Sequence, residues 1–580
     1  MPSWLKNAIF YEIYPQSYYD TNADGIGDLP GIIEKLPYVK ELGANALWLN
    51  PFYDSPMKDA GYDVRDYRMV SPRYGNLDDA KALFARAHEL GMHVIIDLVP
   101  GHTSEEHAWF LESKKVERNE FSDRYIWTDY AFTGIKDYPY IGGESPRAGV
   151  YMLNFFKCQP ALNYGWGNPT EKWQCSTDSE AAKATREALF SICRFWLDLG
   201  CDGFRVDMAD SLVKHDEDKA LTGKIWKELR AILDTEYPEA VMVSEWSNPR
   251  QSLTNGGFHA DFYLDHEGNG ISHLLRAYET SYPDRSILRA GNNGDIYDFL
   301  REYLPKYFTT RRDGYISFIT GNHDTPRIGR YMDAQELRIA LGLLFSLPGV
   351  PFLYYGDEIG MRYDENVPTK EGGYQRTGSR TPMQWNGGKN LGFSEADPSL
   401  LYLPVDAAAD APTVADQTAD PGSLLNFVKA LFALRKAEPA LHADGDLSLV
   451  YAAHGKFPFV FRRGDILIVC NPSLETVTLT EDDLLQFANA VARDAEETAL
   501  YCPYEWSGPV LDPVKYPAKE LFGDGQRLVR MSLKDLDDVA PKAEDAEGTL
   551  AERAALLVTG TVRCEGGTLT MGPQSFALLR

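Results

Sequence analysis

Gly203-Phe204-Arg205-Val206-Asp207 is a short apolar run that ends in a carboxylate, with an arginine two residues before it. The same form returns in Val241-Met242-Val243-Ser244-Glu245 and in Ile319-Thr320-Gly321-Asn322-His323-Asp324. Asp97 and His102 follow His93-Val94-Ile95-Ile96. Buried strands that carry acids at their C-terminal ends are how a parallel barrel builds a site at one face. Eight such runs are readable: 8–14, 44–50, 93–99, 202–207, 240–245, 259–264, 314–319 and 350–355. Most are separated by helical patterns. In 180–200, Leu189, Ile192, Phe195, Trp196 and Leu199 recur at three and four, and Gly200 follows as a stop. Strand and helix alternating eight times predicts a (β/α)8 barrel.

Two stretches break this rhythm. The segment after the third strand is too long for an ordinary loop and is rich in Tyr, Gly, Pro and Trp, so it reads as a small inserted domain. Residues 356–425 are irregular, and 407–412 look like a surface loop. From 441 the pattern changes to alternation, as in Phe459-Val460-Phe461 and Ile466-Leu467-Ile468-Val469, which predicts an antiparallel β-sandwich domain. An acidic stretch, 481–498, reads as a helix on its edge. The expected division is therefore 1–102 with 173–440 as the barrel, 103–172 as the insert and 441–580 as the C-terminal domain.

The 580 residues include 44% hydrophobic and 25% charged residues, as in globular proteins, and the length implies several cores. A net charge of −27 disfavours nucleic acid and anionic membranes, which require a basic surface. Seven cysteines without a CxxC pair suit thiols in a reducing compartment. The N-terminus shows no secretory pattern, and no apolar run is long enough to span a bilayer. The expectation is a cytoplasmic monomer or small homo-oligomer that acts on a small molecule.

Arg205 and Asp207, two apart on a strand, share a face. A guanidinium beside Asp207 would favour its ionised form and lower its pKa, as suits a nucleophile. The same pair read alone is equally a buried structural ion pair. Glu245 precedes Trp246, whose apolar ring would raise a carboxyl pKa, as suits a proton donor. His323-Asp324 adds hydrogen-bonding groups of a kind suited to sugar hydroxyls. Two such acids are the equipment of a retaining glycosidase.

Several motifs, in order, resemble the α-amylase superfamily of glycoside hydrolases, in particular its oligo-1,6-glucosidase, α-glucosidase and trehalose synthase group. They are Ala46-Leu47-Trp48-Leu49-Asn50-Pro51, Gly203-Phe204-Arg205-Val206-Asp207, Asn322-His323-Asp324, Tyr354-Tyr355-Gly356-Asp357-Glu358 and Arg380-Thr381-Pro382-Met383-Gln384-Trp385. The resemblance implies Asp207 as nucleophile, Glu245 as acid/base and Asp324 as the residue that binds hydroxyls and stabilises the transition state. It implies Arg205, His102 and His323 in the same subsite, Tyr62 under the sugar ring, and Asp97 as a structural partner of Arg205. Asp59 and Arg380 match residues that grip the 4-hydroxyl of a terminal glucose in exo-acting members. The implied activity is a retaining, exo-acting α-glucosidase on short oligosaccharides or disaccharides. The alternative is a glucosyl transferase or isomerase of the trehalose or isomaltulose synthase type. A degenerate binding protein is disfavoured because all three acids are present.

Three positions depart from the family. Gly101 stands where Asn often serves a calcium site between barrel and insert, so that site is not expected. Ala161 stands where Asp is common. Met208 replaces the Val or Ala that helps set linkage, so linkage stays open. Asp20, Asn22, Asp24, Ile26 (by its carbonyl) and Asp28 occupy positions 1, 3, 5, 7 and 9 of an EF-hand-like loop, with Gly25 at 6 and Gly31 where the bidentate Glu would stand. The resembling enzymes bind Ca2+ in this loop, and one structural Ca2+ is expected. The same residues also favour Asx-turns without an ion.

Overall fold

A computed structural model describes residues 1–266, 269–276, 286–291, 294–371, 376–503, 519–520 and 527–580. Eight parallel strands form one sheet: β1 (Phe10–Ile13), β2 (Ala46–Leu49), β3 (His93–Leu98), β4 (Gly203–Val206), β5 (Val241–Ser244), β6 (Ala260–Phe262), β7 (Tyr315–Ser317) and β8 (Phe352–Tyr354). Each strand up to β7 pairs with the next, and β1 also pairs with β8. The ring closes beyond β7 through a parallel bridge between Ile319 and Phe352, where Phe352 N–H donates to Phe318 O at 2.8 Å. All eight predicted strands are present, within a few residues of their expected ends.

Side chains alternate across the ring, as the pleat requires. Phe10, Trp48, Ile95, Val243, Phe262 and Phe352 form the apolar plug inside, with Phe10 and Phe352 stacked at 4.3 Å. Their neighbours Tyr11, Leu47, Ile96, Phe204 and Met242 face outward into the layer under the helices. The helix Glu180–Leu199 starts at Ser179, whose side chain accepts from Ala182 N–H, and ends at a left-handed Gly200 (φ 113°). Its Leu189, Ile192 and Trp196 are buried. Each such side chain stabilises the packing by roughly 1.5–3 kcal/mol. Gly203 opens β4 at φ 141°, and a Cβ there would lie 2.1 Å from Val241 O, so no other residue lets β4 approach β5 this closely.

Between β3 and that helix the chain forms a short helix, Ala108–Ser113, and a hairpin of Tyr140–Gly142 with Val150–Met152. Ile126, Ile135, Val150, Met152, Ala161 and Trp166 give this insert its own apolar cluster. Beyond the barrel, strands Ser448–Ala453, Lys456–Arg463, Ile466–Asn471, Ser575–Leu579 and Ala555–Thr559 form an antiparallel sheet. A second sheet, Val477–Thr480, Thr568–Met571 and Val562–Glu565, packs on it through Val460, Leu467, Val469, Leu479, Leu569 and Met571. The acidic stretch forms the helix Glu481–Ala492, started by a capping box of Thr480 and Asp483. No helix among the described residues is long and apolar enough to cross a membrane.

Candidate active site

The inward positions at the C-terminal ends of the strands change from apolar to polar: Glu12, Asn50, Asp97, Arg205, Asp207 and Glu245. Asp207 N–H still donates to Leu98 O (2.9 Å) and Glu245 N–H to Val206 O (3.0 Å), so the barrel ladder fixes both backbones. Arg205 is fully buried and joins three carboxylates. Its Nη1 lies 2.6 Å from Asp97 Oδ1 and 3.1 Å from Asp207 Oδ1, and its Nη2 lies 2.6 Å from Glu245 Oε1. The last contact is a close ion pair without hydrogen-bond alignment. Asp97 is held in turn by Trp48 Nε1 (2.9 Å) and the Tyr62 hydroxyl (3.2 Å), as expected of a structural partner.

The electrostatics differ from the sequence expectation. Burial and the neighbouring Glu245 charge push the Asp207 carboxyl well above the usual carboxylate range, and Arg205 opposes them without prevailing. Glu245 sits against Arg205 and accepts from Met208 N–H at 2.9 Å, so polar groups surround the carboxylate that was expected to lie against apolar Trp246. Three carboxylates share one guanidinium, and burial raises the pKa of both Asp207 and Asp97.

Asp324 lies across the cleft. Burial works to raise its pKa, but His323, Arg376 and Arg380 hold it well below the usual range. Arg376 Nη1 is 2.6 Å and Arg380 Nη2 is 2.8 Å from Asp324 Oδ1. His323 is buried, with its ring stacked on Tyr62 at 5.1 Å. Tyr62 is buried and lines the cleft. His102 is buried and approaches Tyr62 O (3.2 Å) and Asn154 Nδ2 (3.2 Å). Burial lowers its pKa to about 4, so its ring is neutral at pH 7.

The expected Asp59–Arg380 pair is absent. Asp59 pairs with Arg376 Nη2, and its other oxygen accepts from Gln159 Nε2 at 2.6 Å. Arg380 lies deeper, fully buried, and bonds Glu371 Oε2 (2.7 Å) and His323 O (2.7 Å) besides Asp324. The sequence reading missed Arg376, Gln159 and Glu371. Arg376 stands four residues before Arg380, and only the short 3-10 turn Thr377–Ser379 between them decides which guanidinium reaches the cleft. The cleft measures about 390 Å³ and is lined by Asp59, Tyr62, Asp207, Glu245, Asp324 and Arg376 among others. That is a volume for a small ligand.

At Gly101 a Cβ would meet Asn154 Nδ2 at 2.6 Å and Ser211 Oγ at 2.9 Å. The space is filled by Asn154, whose Oδ1 accepts from the buried Lys214 Nζ at 3.1 Å. Met208 lines the cleft in a left-handed conformation (φ 42°) and touches Asn154. Ala161 is buried in the insert.

The 20–28 loop is built from Asx-turns. Asp20 accepts from Asn22, Ala23 and Gly25 N–H, Asn22 from Asp24 N–H, and Asp24 from Ile26 N–H. Asp28 caps the following helix through Gly31 N–H. Among the described residues no three His, Cys, Asp or Glu side chains gather as a ligand set. The donors are nonetheless all oxygen, the chemistry a hard cation takes. Burial raises the pKa of Asp28 against the opposing hydrogen bonds from Thr21 and Gly31.

Residues 12–444 match the family profile described as the alpha amylase catalytic domain. The chain belongs to the α-amylase family, family 13 of the glycoside hydrolases. This α-amylase family chain is 33% identical over 558 residues to a "Trehalose synthase/amylase TreS" of Mycobacterium tuberculosis, covering 88% of this chain and 87% of that protein. It is 32% identical to a "Probable alpha-glucosidase" of Rhizobium meliloti, covering 82% and 90%. The solved structure of an alpha-glucosyl transfer enzyme, XgtA, aligns over the whole of both chains with a TM-score of 0.70 at 26% identity.

Proposed function

We propose that this family member is a retaining, exo-acting α-glucosidase on short α-glucosides. The observation that carries this reading is an ion-pair wall, in which Arg376 ties Asp59 to Asp324 in the cleft that Asp207 and Glu245 also line. On this reading the wall ends the site at a terminal glucose and supplies fixed donors and acceptors for it.

In the first step Asp207 attacks the anomeric carbon while Glu245 protonates the departing oxygen. In the second, Glu245 takes a proton from the incoming hydroxyl, which displaces Asp207 with net retention. One proton on the Asp207–Glu245 pair satisfies the first step when it resides on Glu245, and Arg205 then faces the ionised Asp207. Asp324, held ionised, accepts from sugar hydroxyls and stabilises positive charge developing on the ring. Where Ca2+ binds, the 20–28 loop supplies its ligands away from this chemistry, and the ion's role is to brace that loop.

A second reading, transfer of the glucosyl group to a sugar, is favoured by the full-length match to a glucosyl-transfer structure. Both readings share the covalent intermediate and differ in what intercepts it. The test is time-resolved product analysis with maltose, isomaltose, sucrose, trehalose and maltotetraose at low and high concentration. Glucose released one unit at a time supports hydrolysis from the chain end. A disaccharide pool that keeps its size and changes linkage means transfer or isomerisation. Internal cleavage of maltotetraose refutes the closed end.

A further inference from the structure

Beneath the sugar-facing groups lies a charge that the reaction above leaves without a task. Glu12 points inward from the end of β1 and is fully buried. Its Oε1 lies 3.2 Å from His323 Nδ1, and its Oε2 has no hydrogen-bond partner among the described residues. The other ring nitrogen, His323 Nε2, lies 3.3 Å from Asp324 Oδ2, an ion-pair contact without hydrogen-bond alignment. One imidazole thus stands between two carboxylates, and it is flanked by two tyrosines, Tyr62 at 5.1 Å (9°) and Tyr14 at 6.2 Å (7°). Aromatic faces on both sides and carboxylates at both edges suit a cation.

We infer that Glu12 is a positioning residue: by pairing with Nδ1 it holds His323 as an imidazolium, and the imidazolium in turn fixes Asp324 as an ionised, oriented sugar ligand. The inference rests on the reading of Asp324 given above. A neutral ring offers one N–H and can serve one carboxylate only, whereas an imidazolium donates at both ends. Asn50 Nδ2 also lies 3.0 Å from His323 Nδ1 and 3.5 Å from Asp97 Oδ2.

The surrounding charges are mixed. Facing the ring are Glu12 from β1, Asp97 from β3, Arg205 from β4, Asp324, the hydroxyls of Tyr14 and Tyr62, and Arg380, which donates to His323 O. Burial lowers the His323 pKa, but Asp324 and Glu12 outweigh it and raise it to about 9. Glu12 itself is pushed by burial to about 7. Asp324 and Glu12 therefore both favour the charged ring, and Glu12 contributes to it only where its own carboxyl is ionised.

The test combines Glu12→Gln, Glu12→Asp and histidine NMR on the full chain, with the His323 signal assigned by its loss in His323→Asn. In the unaltered protein His323 is expected to be doubly protonated at pH 7.5. Glu12→Gln keeps the side-chain shape, removes the charge, and should shift both the His323 titration and the alkaline limb of kcat/KM on maltose down by about 1–2 pH units. Glu12→Asp should restore much of that shift. A neutral His323 at pH 7.5 in the unaltered protein overturns the inference, even if Glu12→Gln does not fold. So does a Glu12→Gln protein that loses activity equally at every pH with an unmoved His323 titration, because that is the mark of a merely structural residue. The NMR titration needs no glucosidase activity, so failure of the functional reading and failure of this coupling are told apart.

Discussion

Replacing Arg376 by Met tests which arginine closes the cleft. The side chain keeps a similar length and loses the guanidinium that reaches Asp59 and Asp324. Arg376 and Asp59 are each about 95% buried, whereas Asp324 keeps a quarter of its side chain exposed and retains Arg380 as a partner. Removing one partner of a fully buried pair costs about 3–5 kcal/mol of folding stability, and the surviving Arg380 contact and the exposure of Asp324 place that loss at the lower end. The kinetic loss is separate: one charged hydrogen bond to the sugar is worth about 1.5–3 kcal/mol, or roughly 10–10²-fold in kcat/KM at 1.36 kcal/mol per tenfold. Initial rates of glucose release from maltose and isomaltose measure it, and chromatography of maltotetraose products shows whether longer chains now pass the opened end. Arg380→Met should also lower the melting temperature, since Arg380 anchors Glu371 and the His323 carbonyl. A drop of less than about threefold in Arg376→Met, under 1 kcal/mol, with unchanged products, refutes the wall.

Glu245→Gln should lower kcat/KM on maltose by about 10²–10⁴-fold with an unchanged melting temperature; near-normal turnover would remove Glu245 from the proton-donor role. Thorough calcium chelation should lower the melting temperature if the 20–28 loop holds an ion, and an unmoved transition counts against one. His88 bonds Asp202 at 2.8 Å, and that bond, against an opposing burial effect, raises its pKa. A raised histidine stabilises the fold fully below its unfolded pKa and loses that contribution as pH rises through the folded value. The melting-temperature gap between the unaltered protein and His88→Gln should therefore be widest at acidic pH and close as pH rises above neutrality; a constant gap would disprove the linkage.

The barrel is legible in the chain because its signals are local. Each strand is a short run such as Val241-Met242-Val243-Ser244, and the helix before β4 shows its apolar face at three and four and its stop at Gly200. The acids Asp207 and Glu245 were placed correctly at strand ends because a strand's alternation decides which side chain faces inward. Membership of the α-amylase family follows from the same runs, since its motifs lie at those ends. What the sequence left open depends on contacts between residues far apart. Arg205 next to Asp207 suggested a lowered pKa, yet Glu245 reaches the same guanidinium and burial raises it instead. Arg376 and Arg380 look alike in sequence, and only the packed turn between them sends one to Asp59 and the other into the floor. Glu12 reads as a strand residue until the barrel closes and brings it, across more than three hundred residues, to His323. Periodicity within a run fixes the element and its facing, while charge at a buried site is set by desolvation and by partners that only the closed barrel assembles.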